Sequence, residues 1–162
     1  LNEELARENV YGEIYLVGGA VMCLVFDARR STIDVDAYFE PSQAIRKAAA
    51  RVALAEQVSD KWLNDAVKAY LSPTGKFAPF QTLSHLSVMT AQADYLLAMK
   101  CLAMRIGGEY HDVDDIRYLL RFQNIETYDE ALASIRKFYP IEKYPSRTLY
   151  ALEEILGGSE SQ

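Results

Sequence analysis

The segment from Val17 to Phe39, VGGAVMCLVFDARRSTIDVDAYF, limits the possible folds more than any other part of the sequence. It follows a short β-prone run, EIYLV, that ends at Gly18-Gly19. The apolar residues 20–26 come directly after the two glycines and predict a helix packed on a sheet. The order strand, tight turn, helix therefore indicates a fold that combines a sheet with covering helices.

A second strand is predicted over residues 33–39, where apolar and polar residues alternate. Asp34 and Asp36 would share its polar face, with Cα atoms about 6.5 Å apart. Two carboxylates at that spacing could hold one divalent cation through oxygen ligands. The alternative is an edge strand with two ordinary surface aspartates, which is the better interpretation when an Asp-X-Asp pair stands alone.

The remaining chain divides into a mixed front half and a helical back half. We predict further helices over 1–10, 42–57 and 61–71 and further strands over 77–83 and 86–90. From residue 91 onward the pattern predicts only helices, over 93–106, 112–122, 128–138 and 146–156. The expected fold is α+β: a small mixed sheet flanked by helices in residues 1–90, with a C-terminal helical bundle in residues 91–162 that packs on it.

Composition limits the classes of partner. A formal net charge of −6 argues against binding of nucleic acid through bulk charge, although a local basic patch could still hold a phosphate. Cys23 and Cys101 stand in apolar surroundings without zinc or disulfide spacing, so we expect buried thiols. No apolar stretch reaches the ~18 residues of a membrane span. We therefore expect a cytoplasmic protein that does not bind membranes.

The glycine pair has a chemical and a structural interpretation. Glycines between a strand and a helix let a phosphate approach backbone N–H groups. Alone, Gly18-Gly19 would more often be a tight turn and nothing else. Here the glycine turn, the helix and the sequence R-X-T-X-D-X-D, which begins at Arg30, fall in one short block. This block makes the chemical interpretation the stronger one.

This order of motifs resembles the signature of the DNA polymerase β-like nucleotidyltransferase superfamily. The resemblance implies that Asp34 and Asp36 hold Mg²⁺ on a nucleoside triphosphate whose phosphates rest against the glycine turn. The nucleotide-binding residues that it implies are Gly18, Gly19, Arg30 and Thr32.

A segment of the helical half carries a second resemblance. The sequence YLLAMKCLAMR, followed by HDVDDI, is similar to the helical segment of minimal nucleotidyltransferases of the AbiEii toxin type. Lys100 lies among apolar neighbours, so its stem is expected to be packed and its ammonium aimed at one partner. That partner could be a triphosphate, which would give Lys100 a catalytic role, or it could be Asp112 or Asp115. Asp112 is also a good N-cap candidate for the following helix.

Catalysis by two metal ions needs ligands for both ions, and in this superfamily a third carboxylate usually comes from a later strand. The predicted strands over 77–83 and 86–90 contain no Asp or Glu. The nearest candidate is Asp65, in the tetrapeptide Trp62-Leu-Asn-Asp65. Its alternative role is to cap the predicted helix that follows, a role that Asn64 could also fill.

The resemblances together imply a Mg²⁺-dependent nucleotidyltransferase. It would move a nucleotidyl group from a nucleoside triphosphate to a hydroxyl of a protein, an RNA or a small molecule. The resemblance to the AbiEii toxin type implies a toxin–antitoxin component as one setting for this activity. The alternative is a nucleotidyltransferase-like binding module that is catalytically inactive. The sequence supports this alternative through its lack of an acid in the later strands.

Overall fold

Within residues 1–157, which are the part of the chain that the computed structural model describes, five strands form one mixed sheet. They are β1 (Gly12–Val17), β2 (Val35–Glu40), β3 (Leu63–Asn64), β4 (Phe77–Thr82) and β5 (Leu86–Ala91). Their order is β3-β2-β1-β5-β4. Strand β1 is antiparallel to β2 and parallel to β5, β2 is parallel to β3, and β4 is antiparallel to β5. The prediction of an α+β fold with a mixed sheet is confirmed.

Helices occupy much of the remaining chain. They are α1 (Asn2–Arg7), α2 (Gly18–Leu24), α3 (Ser42–Glu56), α4 (Ala93–Leu102), α5 (Asp112–Phe122), α6 (Tyr128–Arg136) and α7 (Ser146–Gly157). Short 3₁₀ helices cover Ala66–Tyr70 and Ile141–Lys143. In the described chain, residues 1–157, no helix combines the length and the apolar character that crossing a membrane requires.

The predicted helix over 61–71 is wrong. Its first part contains β3, which pairs with β2, and its second part is the 3₁₀ helix Ala66–Tyr70. The pairing starts where the Val35 N–H donates to the Trp62 carbonyl at 2.7 Å, which draws this segment into the sheet. A sheet contact between segments far apart in sequence therefore overrides the local helical pattern.

The chain divides into two compact units. The sheet unit comprises residues 1–71 and 77–91 and contains α1 to α3 and all five of these strands. The helical unit comprises residues 72–76 and the chain from Gln92 onward, with α4 to α7. The packing of the helical part on the sheet stays a prediction.

One face of the sheet packs on helices of its own unit, and the alternation along β2 shows how. Ala37 and Phe39 are buried, whereas Asp36 and Tyr38 are half-buried on the opposite face. Ile45 of α3 is fully buried, and α3 contacts β2. Burial of such apolar side chains stabilises the unit by about 1.5–3 kcal/mol each. The less buried face is left for Asp36 and its neighbours.

The helical unit has its own core. It also includes a short separate segment, residues 72–76, which we call the strap. The core is built from buried side chains of α4 to α7, among them Tyr95, Leu96, Leu97, Ile116, Leu119, Ile135 and Leu152. In the strap, the Ser72 N–H donates to the Tyr95 hydroxyl at 2.9 Å and the Ser72 hydroxyl donates to the Phe138 carbonyl at 2.7 Å. These bonds attach the strap to α4 and to the chain that follows α6.

Candidate functional site

Strand pairing brings Asp36 to the glycine turn. In the antiparallel register of β1 and β2, Asp36 lies opposite Val17, the residue before Gly18. Gly18 has a φ of +64°, a left-handed conformation that favours glycine. A Cβ atom at Gly18 would lie 3.1 Å from Oδ2 of Asp36. The Asp36 carboxylate therefore lies directly against the turn, and the turn needs a residue without a side chain.

Asn64 holds the same carboxylate from the other side. It pairs with Asp36 in the parallel register of β2 and β3, and its Nδ2 donates to Asp36 Oδ1 at 2.6 Å. Its own Oδ1 accepts from the Ala66 N–H at 2.8 Å, the local side-chain-to-backbone bond of an Asx turn just before the 3₁₀ helix. The sequence pattern does not predict the contact with Asp36, because the contact depends on the pairing of β3 with β2.

The prediction that Asp34 and Asp36 share a strand face is wrong. Strand β2 begins at Val35, and Asp34 lies in the bend before it with an exposed side chain. Ile33, which the alternating pattern assigned to the apolar face, is 100% exposed. Thr32 shapes this bend, because its hydroxyl donates to the Asp34 carbonyl at 3.1 Å. Asp34 is thus two residues before Asp36 in the sequence but lies outside strand β2.

The second glycine of the turn faces the loop that leads into β2. A Cβ atom at Gly19 would lie 2.8 Å from a terminal guanidinium nitrogen of Arg29 and 2.8 Å from the Thr32 hydroxyl. The structure therefore brings Thr32 to the turn, together with Arg29, which is not among the residues predicted from the sequence. The predicted residue Arg30 is exposed. Two adjacent arginines differ in this respect only through the fold of the loop, so no sequence signal separates them.

Asp65 forms an ion pair with Arg46 of α3. It occupies the N-cap position of the 3₁₀ helix Ala66–Tyr70, yet its side chain makes no capping hydrogen bond there. The prediction that Asp65 caps this segment is therefore wrong, since Asn64 bonds the Ala66 N–H instead. The role of Asp65 as a third metal ligand stays a prediction.

A cavity of about 600 Å³ opens beside these residues in the sheet unit. Polar and charged residues line part of it: Asp34, Arg46, Asp60, Lys61, Asn64 and Asp65. Apolar residues line the rest: Phe39, Ala49, Leu63 and Ala66. The volume is in the range of small-molecule sites, and the mixed lining suits a polar ligand with an apolar part. One of its lining residues, Asn64, contacts the Asp36 carboxylate.

Two tyrosines continue the face of the sheet that carries Asp36. Tyr15 and Tyr38 lie opposite each other on β1 and β2, with ring centroids 5.8 Å apart. Burial and a hydrogen bond to Glu13 raise the pKa of Tyr15, and a hydrogen bond to Glu40 raises that of Tyr38. Both phenols therefore stay protonated at neutral pH and are unsuited to act as general bases.

Lys100 lies in a separate ion cluster within the helical unit. Its side chain is 9% exposed, and its Nζ lies 3.2 Å from Asp112 Oδ1 and 2.7 Å from Asp115 Oδ2. The predicted pairing of Lys100 with these acids is confirmed. The prediction that Asp112 is an N-cap is wrong, because His111 holds that position and the Asp112 carboxylate accepts instead from Lys100 and Arg105.

The carboxylate beside the glycine turn has the right chemistry for a hard cation. Asp36 at the turn, and Asp34 in the bend before β2, offer carboxylate oxygens, which are the ligands that Mg²⁺ prefers, and Asp36 is already held in one orientation. Comparison with known proteins adds no relative: no protein-family model matches the chain, and no curated protein matches its sequence.

Proposed function

We propose that the chain is a Mg²⁺-dependent nucleotidyltransferase. The observation that carries the proposal is the contact between the Asp36 carboxylate and the glycine turn at Gly18. An anionic side chain against a glycine turn is suited to hold a cation beside a phosphate that binds at the turn. The sequence resemblance to polymerase β-like nucleotidyltransferases supports the same chemistry.

In this proposal, a hydroxyl of the acceptor attacks the α-phosphorus of a nucleoside triphosphate, and pyrophosphate leaves. Asp36 and Asp34 would hold Mg²⁺, which supplies charge neutralisation and orients the triphosphate when it is bound. Gly18 and Gly19 would let the phosphates approach the backbone. Arg30 and Thr32, the latter facing Gly19, would bind the triphosphate oxygens.

Arg29 is better placed than Lys100 to supply positive charge to a bound triphosphate. Lys100 already faces two carboxylates, so its charge is offset within the helical unit. Arg29 has its guanidinium at Gly19 and is the better candidate for the charge that a triphosphate needs. We therefore assign Arg29 to nucleotide binding and keep Lys100 as a structural residue of its cluster.

The acceptor is a hydroxyl of a protein, an RNA or a small molecule. The cavity lined by Asp34 and Asn64 offers room for an acceptor group next to the proposed metal ligands. Its size suits a small molecule or one side chain or nucleotide of a larger acceptor. A toxin–antitoxin context is compatible with each of these acceptors.

Calorimetric titration with the four ribonucleoside triphosphates in the presence of Mg²⁺ tests the proposal. We expect at least one of them to bind wild type and to bind the Asp34→Asn/Asp36→Asn variant at least about tenfold more weakly, since the cation ligands are lost. Asp114→Asn is the matched control, because this side chain is 77% exposed on α5. Equal binding by wild type and the double variant would show that the metal site is wrongly assigned.

A second candidate is a nucleotide-binding module without transferase activity. It is favoured by the residue that β3 places beside Asp36, which is an amide rather than a carboxylate, and by the pairing of Asp65 with Arg46. Incubation with α-³²P-labelled nucleotides and cell extract separates the two candidates. Metal-dependent transfer of label that disappears in Asp36→Asn supports the enzyme, and nucleotide binding without any transfer supports the module.

A further inference from the structure

We propose that Asn64 is a positioning residue for the cation ligand Asp36, and that its amide takes the place where a further carboxylate ligand could stand. The inference deepens the proposed function and rests on it. It is carried by the hydrogen bonds on both sides of the Asn64 amide, which together fix the orientation of one carboxylate at the glycine turn.

The orientation of the Asn64 amide is fixed by its hydrogen bonds. Asn64 Oδ1 accepts from the Ala66 N–H at 2.8 Å, so a flipped amide would place an NH₂ group against an N–H donor. The flip is therefore excluded by the network, and Nδ2 must face Asp36. The backbone also fixes the residue, because Asn64 pairs with Asp36 in the sheet.

The two carboxylate oxygens of Asp36 face different groups. Oδ1 accepts from Asn64 at 2.6 Å, while Oδ2 lies 3.1 Å from the position of a Cβ atom on Gly18. The two oxygens thus have different tasks: one is bound to the amide and the other faces the turn. A hydrogen bond of this kind from outside the ligand set orients a metal ligand.

An amide and a carboxylate at position 64 would act differently on Asp36. The Asn64 amide is neutral, and its nitrogen donates and cannot coordinate a cation. A carboxylate in its place would stand about one hydrogen-bond length from Asp36 and would repel it until a proton or a cation bound between them. Asn64 therefore orients Asp36 without repelling it, and it adds no ligand of its own.

Binding of Mn²⁺ alone, followed by the electron paramagnetic resonance signal of the free ion, tests the inference in the full chain. We expect Asn64→Ala to weaken Mn²⁺ binding about 10–100-fold, as loss of an orienting partner does. We expect Asn64→Asp to bind Mn²⁺ more tightly than Asn64→Ala. Its thermal midpoint without metal should lie below that of wild type and recover when Mn²⁺ is saturating.

The design separates folding from positioning. Asn64→Asp keeps an oxygen that can accept from the Ala66 N–H, so it preserves the local turn and changes only the group that faces Asp36. Asp114→Asn is the control, because it removes the same kind of carboxylate from an exposed position on α5. We expect Asp114→Asn to stay within about twofold of wild type in Mn²⁺ affinity, as expected of an exposed charge outside the site.

Each outcome decides the inference. It is overturned if Asn64→Ala binds Mn²⁺ as tightly as wild type, or if Asn64→Asp binds no more tightly than Asn64→Ala. In either case a wild type that binds Mn²⁺ leaves the proposed metal site standing. A wild type that binds no Mn²⁺ overturns both the metal site and the role of Asn64.

Discussion

At the scale of single residues, Gly18 is constrained by its backbone and by its neighbour. Its φ of +64° is unfavourable for a residue with a side chain, and Asp36 Oδ2 occupies the space that a Cβ atom would approach. The same residue thus shapes the turn and leaves room for a carboxylate. We expect a substitution here to affect both stability and ligand binding.

Gly18→Ala should lower the free energy of unfolding by roughly 1–2 kcal/mol, the cost of a left-handed conformation for a residue with a Cβ atom. It should also weaken Mg²⁺-dependent nucleotide binding, because the new methyl group meets the Asp36 carboxylate. Urea unfolding and calorimetric titration measure the two effects. Gly108→Ala is the control, since a Cβ atom there meets nothing within 4 Å. Unchanged stability and binding in Gly18→Ala would contradict the description of the turn.

At the scale of elements, an ion cluster joins α4 to the start of α5. Lys100 comes from α4, while Asp112 and Asp115 come from the first turn of α5, where negative charge is also favourable. Burial raises the pKa of Asp112, but hydrogen bonds from Arg105 and the charge of Lys100 outweigh it and hold that pKa below its usual value of 3.8. The contribution of this cluster to the free energy of unfolding therefore depends on pH.

Asp112→Asn should make the chain less stable near neutral pH and remove part of its sensitivity to acid. A carboxylate whose pKa is lowered by folding contributes stability above its unfolded pKa and loses it as the pH falls through the folded pKa. The difference in unfolding free energy between wild type and variant should therefore be full near pH 7 and shrink below about pH 3.8. Urea unfolding at both ends of this range measures it. A difference that grows as the pH falls would contradict this account.

The elements that the sequence predicts correctly are those with a local pattern. Strands β1, β4 and β5 show apolar runs or alternation between turn residues, and α3 has a helical spacing over its whole length. Strand β3 has only two residues and is extended because it pairs with β2, which begins far earlier in the chain. No local pattern can reveal a strand that depends on such a contact.

The same reason divides the candidate site. The closeness of Gly18 and Asp36 is implied by the sequence resemblance, and the antiparallel pairing of β1 with β2 produces it. The exposed position of Asp34 and the contact made by Asn64 depend on where the pairing of β2 with β3 starts. The sequence therefore predicts that Gly18 and Asp36 belong together, but it misplaces Asp34 and does not reveal the contact that Asn64 makes.

At the scale of the whole molecule, the chain passes between the two units more than once. The strap, residues 72–76, belongs to the helical unit, although the residues before and after it belong to the sheet unit. Its Gly75 lies against Tyr95: a Cβ atom on Gly75 would be 2.4 Å from the ring of this fully buried side chain. The strap is thus fitted closely to α4.

Gly75→Ala should destabilise the helical unit, since the added methyl group forces the buried Tyr95 ring to move at a cost of about 1–3 kcal/mol. Hydrogen exchange followed by mass spectrometry locates the effect. We expect faster exchange in α4 and α6 than in wild type and little change in β1 and β5. Gly108→Ala again provides the control. Equal acceleration in both units, or none, would contradict the assignment of the strap.

The strap also sets an order of events while the chain is being synthesised. The last strand of the sheet ends at Ala91, so every strand of the sheet unit has been made before the first residue of α4 is added. The strap is made earlier still, yet its hydrogen-bond partners Tyr95 and Phe138 follow Ser72 by 23 and 66 residues. A nascent chain can therefore complete its sheet before the helical partners of this loop exist. The bond to Tyr95 becomes possible once α4 has been made, and the bond to Phe138 only when the chain has grown past α6. A ribosome that stalls between these points leaves a finished sheet carrying a loop that is attached at one partner and still lacks the other.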